Sequence, residues 1–345
     1  MRIYNLGIAC GTPGDATNFY RATGPMGPLR TITNGFTFTP LKEIHWAFLK
    51  TIDGVFMHRP YNNDHLALCR MVKNNRKPLW IDHDDNLFEV GIDNPVFQEY
   101  AAGRIKENIA EMVGMADIVT VTTPYLGQIY SRFTKVQPIV IPNALDDDLV
   151  NIDEAPTETK PTVFWRGSNS HVKDWASVAN GFLSVAAKHP EFKYGFMGYQ
   201  PWNIIEPLAH SLSPEHIISI GGCDIMRYFA IIRELAPKFM VVPLQPGSFN
   251  YAKSNIAWLE GMYAGALVVA PKWPEWEKPG VCPYNAPEGQ DLNASLAETL
   301  EKALSMSEDG RRTIRDQGWN FVKGNLLLSK VNYSRRAVLE KYMGI

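Results

Sequence analysis

The stretch richest in chemistry is residues 243–271, PLQPGSFNYAKSNIAWLEGMYAGALVVAP. Its pattern predicts a strand ending at Pro243, a Gly-containing loop and a helix beginning near Ser254. Ser254 is the expected N-cap, its hydroxyl accepting from a free amide one turn in. The unpaired amides and positive dipole end of such a helix favour an anion. Lys253 adds a full charge there, and Asn255 belongs to the same corner. Glu260 follows Lys253 by seven residues, nearly two turns, so both side chains project on one face, separated by a rise of about 10.5 Å. That spacing suits a ligand with a diphosphate at one end and a ribose at the other, the carboxylate accepting from the ribose hydroxyls. The alternative has Lys253 in solvent and Glu260 paired to an arginine. Glu260 lies among Ile256, Trp258, Leu259, Met262 and Tyr263, and a carboxylate in so apolar a helix needs a specific partner.

A second stretch, residues 165–175 (WRGSNSHVKDW), follows another expected strand. Gly167 lets backbone amides approach a phosphate, with Ser168 beside it. Arg166 and Lys173 are candidates to neutralise a diphosphate leaving group, and His171 to donate a hydrogen bond to it or to a sugar. The plain alternative is a helix start with Asp174 as cap and Lys173 in solvent. A third stretch is the acidic turn Asp82-His83-Asp84-Asp85, where D-x-D spacing also suits a divalent cation.

These stretches need elements to hold them. Short β-branched runs alternate with amphipathic segments along the whole chain. Strands are expected at 2–10, 53–58, 78–82, 117–122 and 137–142, with helices at 64–74, 96–115 and 124–133. Residues 151–161 (NIDEAPTETKP) are polar, contain proline and lack apolar periodicity, which marks a linker. The alternation then restarts, with strands at 162–165, 193–197, 217–220, 239–243 and 267–270, helices at 174–188, 226–235 and 254–263, and a helical tail from Leu292. Strand–helix alternation with runs such as Ile118-Val119-Thr120-Val121 implies parallel sheets covered on both faces. The expected fold class is therefore α/β, with two doubly wound domains, 1–150 and 151–325, and a final helix, 326–345, packing back toward the first. Open parallel sheets bind at the carboxyl ends of their strands, so two facing sheets place a cleft between them.

The pattern FN-x-x-K-S-x(5)-E-x(4)-G-x-x-V-V-A resembles the nucleotide-sugar site of retaining glycosyltransferases with two Rossmann-like domains, the GT-B fold. It is most similar to the large group-four family. The acidic turn 82–87 resembles that of one branch of the family. Residues 116–146 resemble the end of its first domain, and 165–175 the first loop of its donor domain. The resemblance implies transfer of a sugar from a UDP- or GDP-sugar to a hydroxyl acceptor with retention of configuration. The nucleotide sugar is then a co-substrate, with no tightly bound cofactor and no metal. It implies that Asp84 and Asp85 contact the transferred sugar or the acceptor hydroxyl. The loop after the first strand looks toward the acceptor, making Asp15, Tyr20 and Arg21 candidate acceptor contacts, with a plain structural turn an equal alternative; Arg59, after another strand, is in the same class. One departure stands out. Where the family often carries a second Glu, eight residues before the ribose-binding one, this chain has Ala252.

Of 345 residues, 45% are apolar and 20% charged, and the net charge is −2. Neither half is strongly basic, which argues against a duplex-DNA binder. The cluster Arg70, Lys73, Arg76 and Lys77 is a candidate contact for an anionic acceptor or membrane surface, or a solvated helix face. The four cysteines show no C-x-x-C spacing, and no P-loop, H-E-x-x-H or G-x-S-x-G is present. Without a leader-like start or a membrane-length apolar run, the cytoplasm (a host's, if the source is viral) is the expected location. Envelope polysaccharide or a lipid-linked saccharide is the favoured acceptor. A hydroxymethyl pyrimidine in DNA stays open as acceptor, as do an epimerase, a non-catalytic sugar-nucleotide binder and a metal-dependent GT-A transferase.

Overall fold

The computed structural model describes residues 4–10, 15–31, 33–40, 49–92, 104–150 and 161–343. They form two six-stranded sheets, every pairing parallel. The first contains β1 (Tyr4–Cys10), β2 (Thr33–Pro40), β3 (Gly54–His58), β4 (Leu79–His83), β5 (Ile118–Val121) and β6 (Ile139–Val140), in the order β2-β1-β3-β4-β5-β6. The second contains β7 (Val163–Gly167), β8 (Tyr194–Gly198), β9 (Ile217–Ile220), β10 (Phe239–Val241), β11 (Leu267–Pro271) and β12 (Val281–Tyr284), in the order β12-β11-β10-β7-β8-β9. The order reverses between β1 and β3 in one sheet and between β7 and β10 in the other. These switch points are where open α/β sheets bind ligands.

Both faces of the first sheet are covered. One packs on helices Asn63–Asn74 and Ile105–Met115. The other buries Leu6, Ile8, Phe56 and Trp80 against Leu328, Val331, Val338 and Leu339 of the last helix, Leu328–Met343. That helix is pinned by Leu145, which exchanges backbone hydrogen bonds with Leu326 and Leu328. It is the segment that ties the end of the chain to the first domain.

A helical run over 16–26, with a π-turn at Phe19–Thr23, crosses the other way. It drives Phe19 and Tyr20 into the core of the second domain, edge-on to Phe229. Thr123 of the first domain donates to the carbonyl of Ala252 in the second, 3.1 Å away. Ala252 is wholly buried against the first domain's core, so the position that departs from the family pattern serves as packing.

Besides the helical run at 16–26, which was expected as a loop, β2, β12 and one helix depart from the expected layout. β2 and β12 are edge strands carrying Gly35 and Pro283, residues that strand reasoning discounts and only edges tolerate. Helix Trp202–Ser211 contains Pro207, which reads as a breaker. The expected linker 151–161, except its last residue, and the start of the 96–115 helix lie outside the described residues.

Candidate active site

A cavity of about 470 Å³ sits where the two switch points face each other, lined from both domains. From the second domain come Arg166 near the end of β7, His171 beyond it, the strand end 240–244, and Lys253, Ser254 and Glu260. From the first come Thr17, Tyr20, Arg59, Asp84 and Asp85.

Helix Ile256–Ala264 starts two residues later than expected, at the Asn255 N-cap, which makes no side-chain cap bond. Ser254 accepts instead from Asn143 of the first domain (2.9 Å). Asn255 turns away and donates to the Glu275 carbonyl (3.2 Å), so it packs the loop. Lys253 therefore lies in a turn before the helix. Glu260 is just over one turn inside it, a rise of about 6 Å from Ile256 in place of the expected two turns. Both side chains still border one cavity. The Lys253 ammonium lies 4.7 Å from the Phe249 ring centroid and 4.0 Å from Asp85 across the cleft.

Glu260 is 3% exposed and already held. One oxygen accepts from the Tyr20 hydroxyl (2.9 Å), the other from Tyr228 (2.6 Å), and Arg166 forms an ion pair with it. Burial, then the Glu260 charge, pushes both tyrosine pKa values well up, so both stay donors. The arginine partner allowed for in the sequence thus exists. It moves Arg166 from the expected diphosphate contact to the carboxylate, while Arg166 Nε is buried without a hydrogen-bond partner. Tyr20, expected at the acceptor, lines the cavity with its hydroxyl bonded to Glu260 of the second domain. Tyr228 was missed because nothing local in sequence links it to Glu260.

His171 Nδ1 lies 2.8 Å from Asp174 Oδ2. The other Asp174 oxygen accepts from the Gln245 amide (3.0 Å) and the Asn250 side chain (2.7 Å). Asp174 thereby fastens the 243–253 loop to the histidine and does not cap the helix. Burial lowers the His171 pKa, Lys253 and Arg166 lower it further, and Asp174 opposes them without reversing the sign. The ring is therefore neutral near pH 7. A carboxylate only accepts, so the single ring proton belongs on Nδ1 and Nε2 carries a lone pair. Nε2 is thus an acceptor, where a donor to a phosphate or a sugar was expected. The i, i+3 spacing of His171 and Asp174 was the available signal for this pair. Gly167 gives the pair room, since a Cβ there would meet Trp165 at 2.5 Å and His171 at 3.1 Å. Ser168 is spent locally, bonded to the Ser170 hydroxyl (2.7 Å). Lys173 is exposed on helix Val172–Lys188, away from the cavity, so its expected phosphate role is corrected.

The acidic turn is neutralised by its neighbours. Arg59, with a left-handed φ of 50°, reaches both Asp84 and Asp85. His58 Nε2 is 3.3 Å from Asp84. Burial alone would raise the Asp84 pKa, yet Arg59 and His58 hold it well below the usual carboxylate range. Asp82 faces elsewhere, paired to Arg21 at 2.7 and 2.9 Å. Among the described residues no group of three or more His, Cys, Asp or Glu is placed to hold a metal.

Two expected acceptor contacts are corrected. Arg21 is 1% exposed and also donates to the Ile141 carbonyl and Asn143, so it is part of the frame. Asp15 caps the 16–26 run by accepting from Thr17 N (3.2 Å). In the basic cluster, Arg70 and Lys73 pair with Glu111 and Asp117, and Arg76 turns the chain with a φ of 54°. Lys77 has its amide bonded to the Val72 carbonyl. Half of the cluster's charge is thus already balanced. No helix among the described residues is long and apolar enough to cross a membrane.

No protein-family model and no curated protein matches the sequence. Many solved structures match the fold. A glycosyltransferase from Rickettsia africae aligns over 99% of both chains with TM-score 0.68 and 11% identity. A UDP-forming α,α-trehalose-phosphate synthase from Burkholderia vietnamiensis aligns over 99% of both with TM-score 0.65 and 10% identity. A Listeria monocytogenes structure assigned as a UDP-N-acetylglucosamine 2-epimerase covers 99% of this chain and 97% of its own, with TM-score 0.60 and 12% identity. The two facing parallel-sheet domains have the GT-B fold.

Proposed function

We propose that the protein is a glycosyltransferase that moves a sugar from a nucleotide diphosphosugar to a hydroxyl acceptor, with UDP the preferred carrier. One observation carries this reading. Both switch points open on a single cavity whose second-domain wall holds Lys253, a helix amino end and a buried carboxylate, and whose first-domain wall holds neutralised acids. UDP is favoured because the trehalose-phosphate synthase of the same fold is UDP-forming.

Cleaving the anomeric bond develops positive charge on the sugar and negative charge on the diphosphate. Lys253 and the free amides of the helix end stabilise the departing phosphate without a metal. The ribose diol replaces the Tyr20 and Tyr228 hydroxyls on Glu260. Neutral His171, fixed by Asp174, accepts from a hydroxyl of the transferred sugar. Asp84 and Asp85, held by Arg59, border the acceptor side. Retention follows if the acceptor attacks from the leaving-group face and the departing phosphate takes its proton, so no protein base is needed. The shared fold of the Listeria structure favours one second reading, a sugar-nucleotide epimerase.

The test is a thermal-shift screen of UDP- and GDP-sugars, with NMR of the incubated donor. The expected result is a rise in melting temperature with one nucleotide class, and slow release of nucleoside diphosphate that His171→Ala abolishes. Donor converted to its epimer would establish the second reading. No shift with any nucleotide sugar would remove both.

A further inference from the structure

A second cavity, of about 740 Å³, lies between Thr123–Tyr125 of the first domain and residues 272–278 and 285–290 of the second. Its volume is in the range of small-molecule sites. It backs onto the candidate active site. The Thr123–Ala252 contact closes the wall between them, and Tyr251 faces this side while Phe249 and Lys253 face the other.

Three aromatic rings run through this cavity. Tyr125 and Tyr251 have centroids 6.0 Å apart at 73°, and Tyr251 and Trp273 4.7 Å apart at 80°. Rings set nearly at right angles cannot all lie flat against one wall, so the set offers faces as well as edges. Tyr125, on the first turn of helix Pro124–Tyr130, is 38% exposed although large and apolar. Around the rings stand polar groups of both kinds: Glu275, Lys278 and the amides of Asn285 and Gln290.

Apolar ring faces beside a carboxylate and amides match a pyranose, whose C–H face packs on a ring while its hydroxyls donate and accept at the edge. The local charge selects among aromatic-binding ligands. Lys272 and Lys278 face Glu288, whose charge reaches Tyr251, and Glu275, which burial leaves only partly ionised near pH 7, so the net charge of the lining is small. A nucleic-acid strand needs a net positive groove as well as stacking rings, and this site has none.

We infer that this second cavity is a saccharide subsite, holding a pyranose unit of the glycan chain that the enzyme extends. The word "extends" rests on the proposed transferase activity, while saccharide binding itself does not. Glu275 also ties the cavity to the start of helix Ile256–Ala264, since its main-chain carbonyl accepts from the Asn255 side chain (3.2 Å).

The test uses the full-length protein on an array of immobilised neutral and uronate-containing oligosaccharides, with single-stranded oligonucleotides as a parallel probe. Wild type is expected to bind at least one oligosaccharide class. Tyr125→Ala and Tyr251→Ala are expected to weaken that binding about tenfold while leaving the thermal shift with nucleotide sugars unchanged. No oligosaccharide bound, or binding undiminished in both variants, overturns the subsite. So does oligonucleotide binding that Tyr125→Ala removes. Oligosaccharide binding lost in the variants, in a protein that no nucleotide sugar stabilises, keeps the subsite and removes the transferase reading.

Discussion

Each domain carries a buried arginine–carboxylate pair at the carboxyl end of its sheet, and the two have different surroundings. In the first, Arg21 spends its guanidinium on Asp82, the Ile141 carbonyl and Asn143, and Asp82 also accepts from Thr120 (2.5 Å). Every partner is part of the frame, and neither residue borders the cavity. In the second, Glu260 accepts from two tyrosine hydroxyls, Arg166 keeps an unpartnered Nε, and both residues line the cavity. Hydroxyls on a carboxylate are what a ribose diol can replace. A guanidinium sealed among backbone and buried side chains has nothing to exchange with. The same two residue types thus make a beam in one domain and a socket in the other.

The largest expected effect breaks the beam. Arg21→Ala leaves Asp82 charged and buried, which costs about 3–5 kcal/mol. Arg166→Met is expected to cost clearly less, because Tyr20 and Tyr228 still satisfy Glu260. Urea unfolding of both variants reads the difference, and equal losses would erase the distinction. The pH dependence follows with a definite sign. Burial would raise the Asp82 pKa, but Arg21 leads the groups that hold it below its usual value. Its stabilisation is therefore complete above the unfolded carboxylate value and is lost as pH falls through the depressed one. Arg21→Ala should therefore flatten the acid limb, its deficit against the wild type being largest above the unfolded carboxylate value and shrinking as pH falls.

A third carboxylate has no arginine and sharpens the contrast. Glu275 has its pKa pushed up to about 7 by burial, against the opposing pull of Lys278 and the Asn255 amide. The raised value favours the protonated form in the fold. Stability is thus lost as pH rises from the unfolded value through 7, by about 3 kcal/mol in all. Glu275→Gln keeps the size of the side chain and the main-chain bond from Asn255 and removes the titration. Its melting temperature should change less between pH 5.5 and 8.5 than that of the wild type, and an unchanged difference would place the charge elsewhere.

The next effect belongs to the donor wall. Lys253→Ala is expected to weaken nucleotide-sugar binding about 10- to 30-fold in a calorimetric titration. Stability should barely move, since an ion pair at 4.0 Å beside solvent contributes under about 1 kcal/mol. A Lys253 that matters to the fold and not to donor binding would be frame, like Arg21.

This contrast also marks what the sequence makes legible. Periodicity and β-branched runs locate ten of the twelve strands, because central parallel strands are continuous apolar runs such as Val268-Val269-Ala270. Two of the four edge strands, β2 and β12, diluted by Gly35 and Pro283, stay hidden. Lys253, Glu260 and His171 are legible because each follows a strand or sits wrongly polar in an apolar helix. Their partners are not, because Tyr20 and Glu260 meet across 240 residues and Tyr228 and Glu260 across 32. The residue types at 21 and 59 suggest ligand contacts equally well. Only burial and bonding separate Arg21, which is sealed in, from Arg59, which borders the cavity.

The smallest expected effect tests the socket most directly. Tyr20 reaches Glu260 from the first domain and packs edge-on to Phe229, so its ring and its hydroxyl have separate roles. Tyr20→Phe keeps the ring contact and removes one charge-assisted hydrogen bond, which should cost the unliganded protein about 1 kcal/mol of stability. The same deletion frees one Glu260 oxygen that a ribose must otherwise win from the hydroxyl. Donor affinity should therefore rise two- to fivefold while stability falls. A scaffold residue would show both falling together. Thermal unfolding and donor titration on the one variant decide between a hydroxyl that stands in for the ribose and one that only fastens the domains.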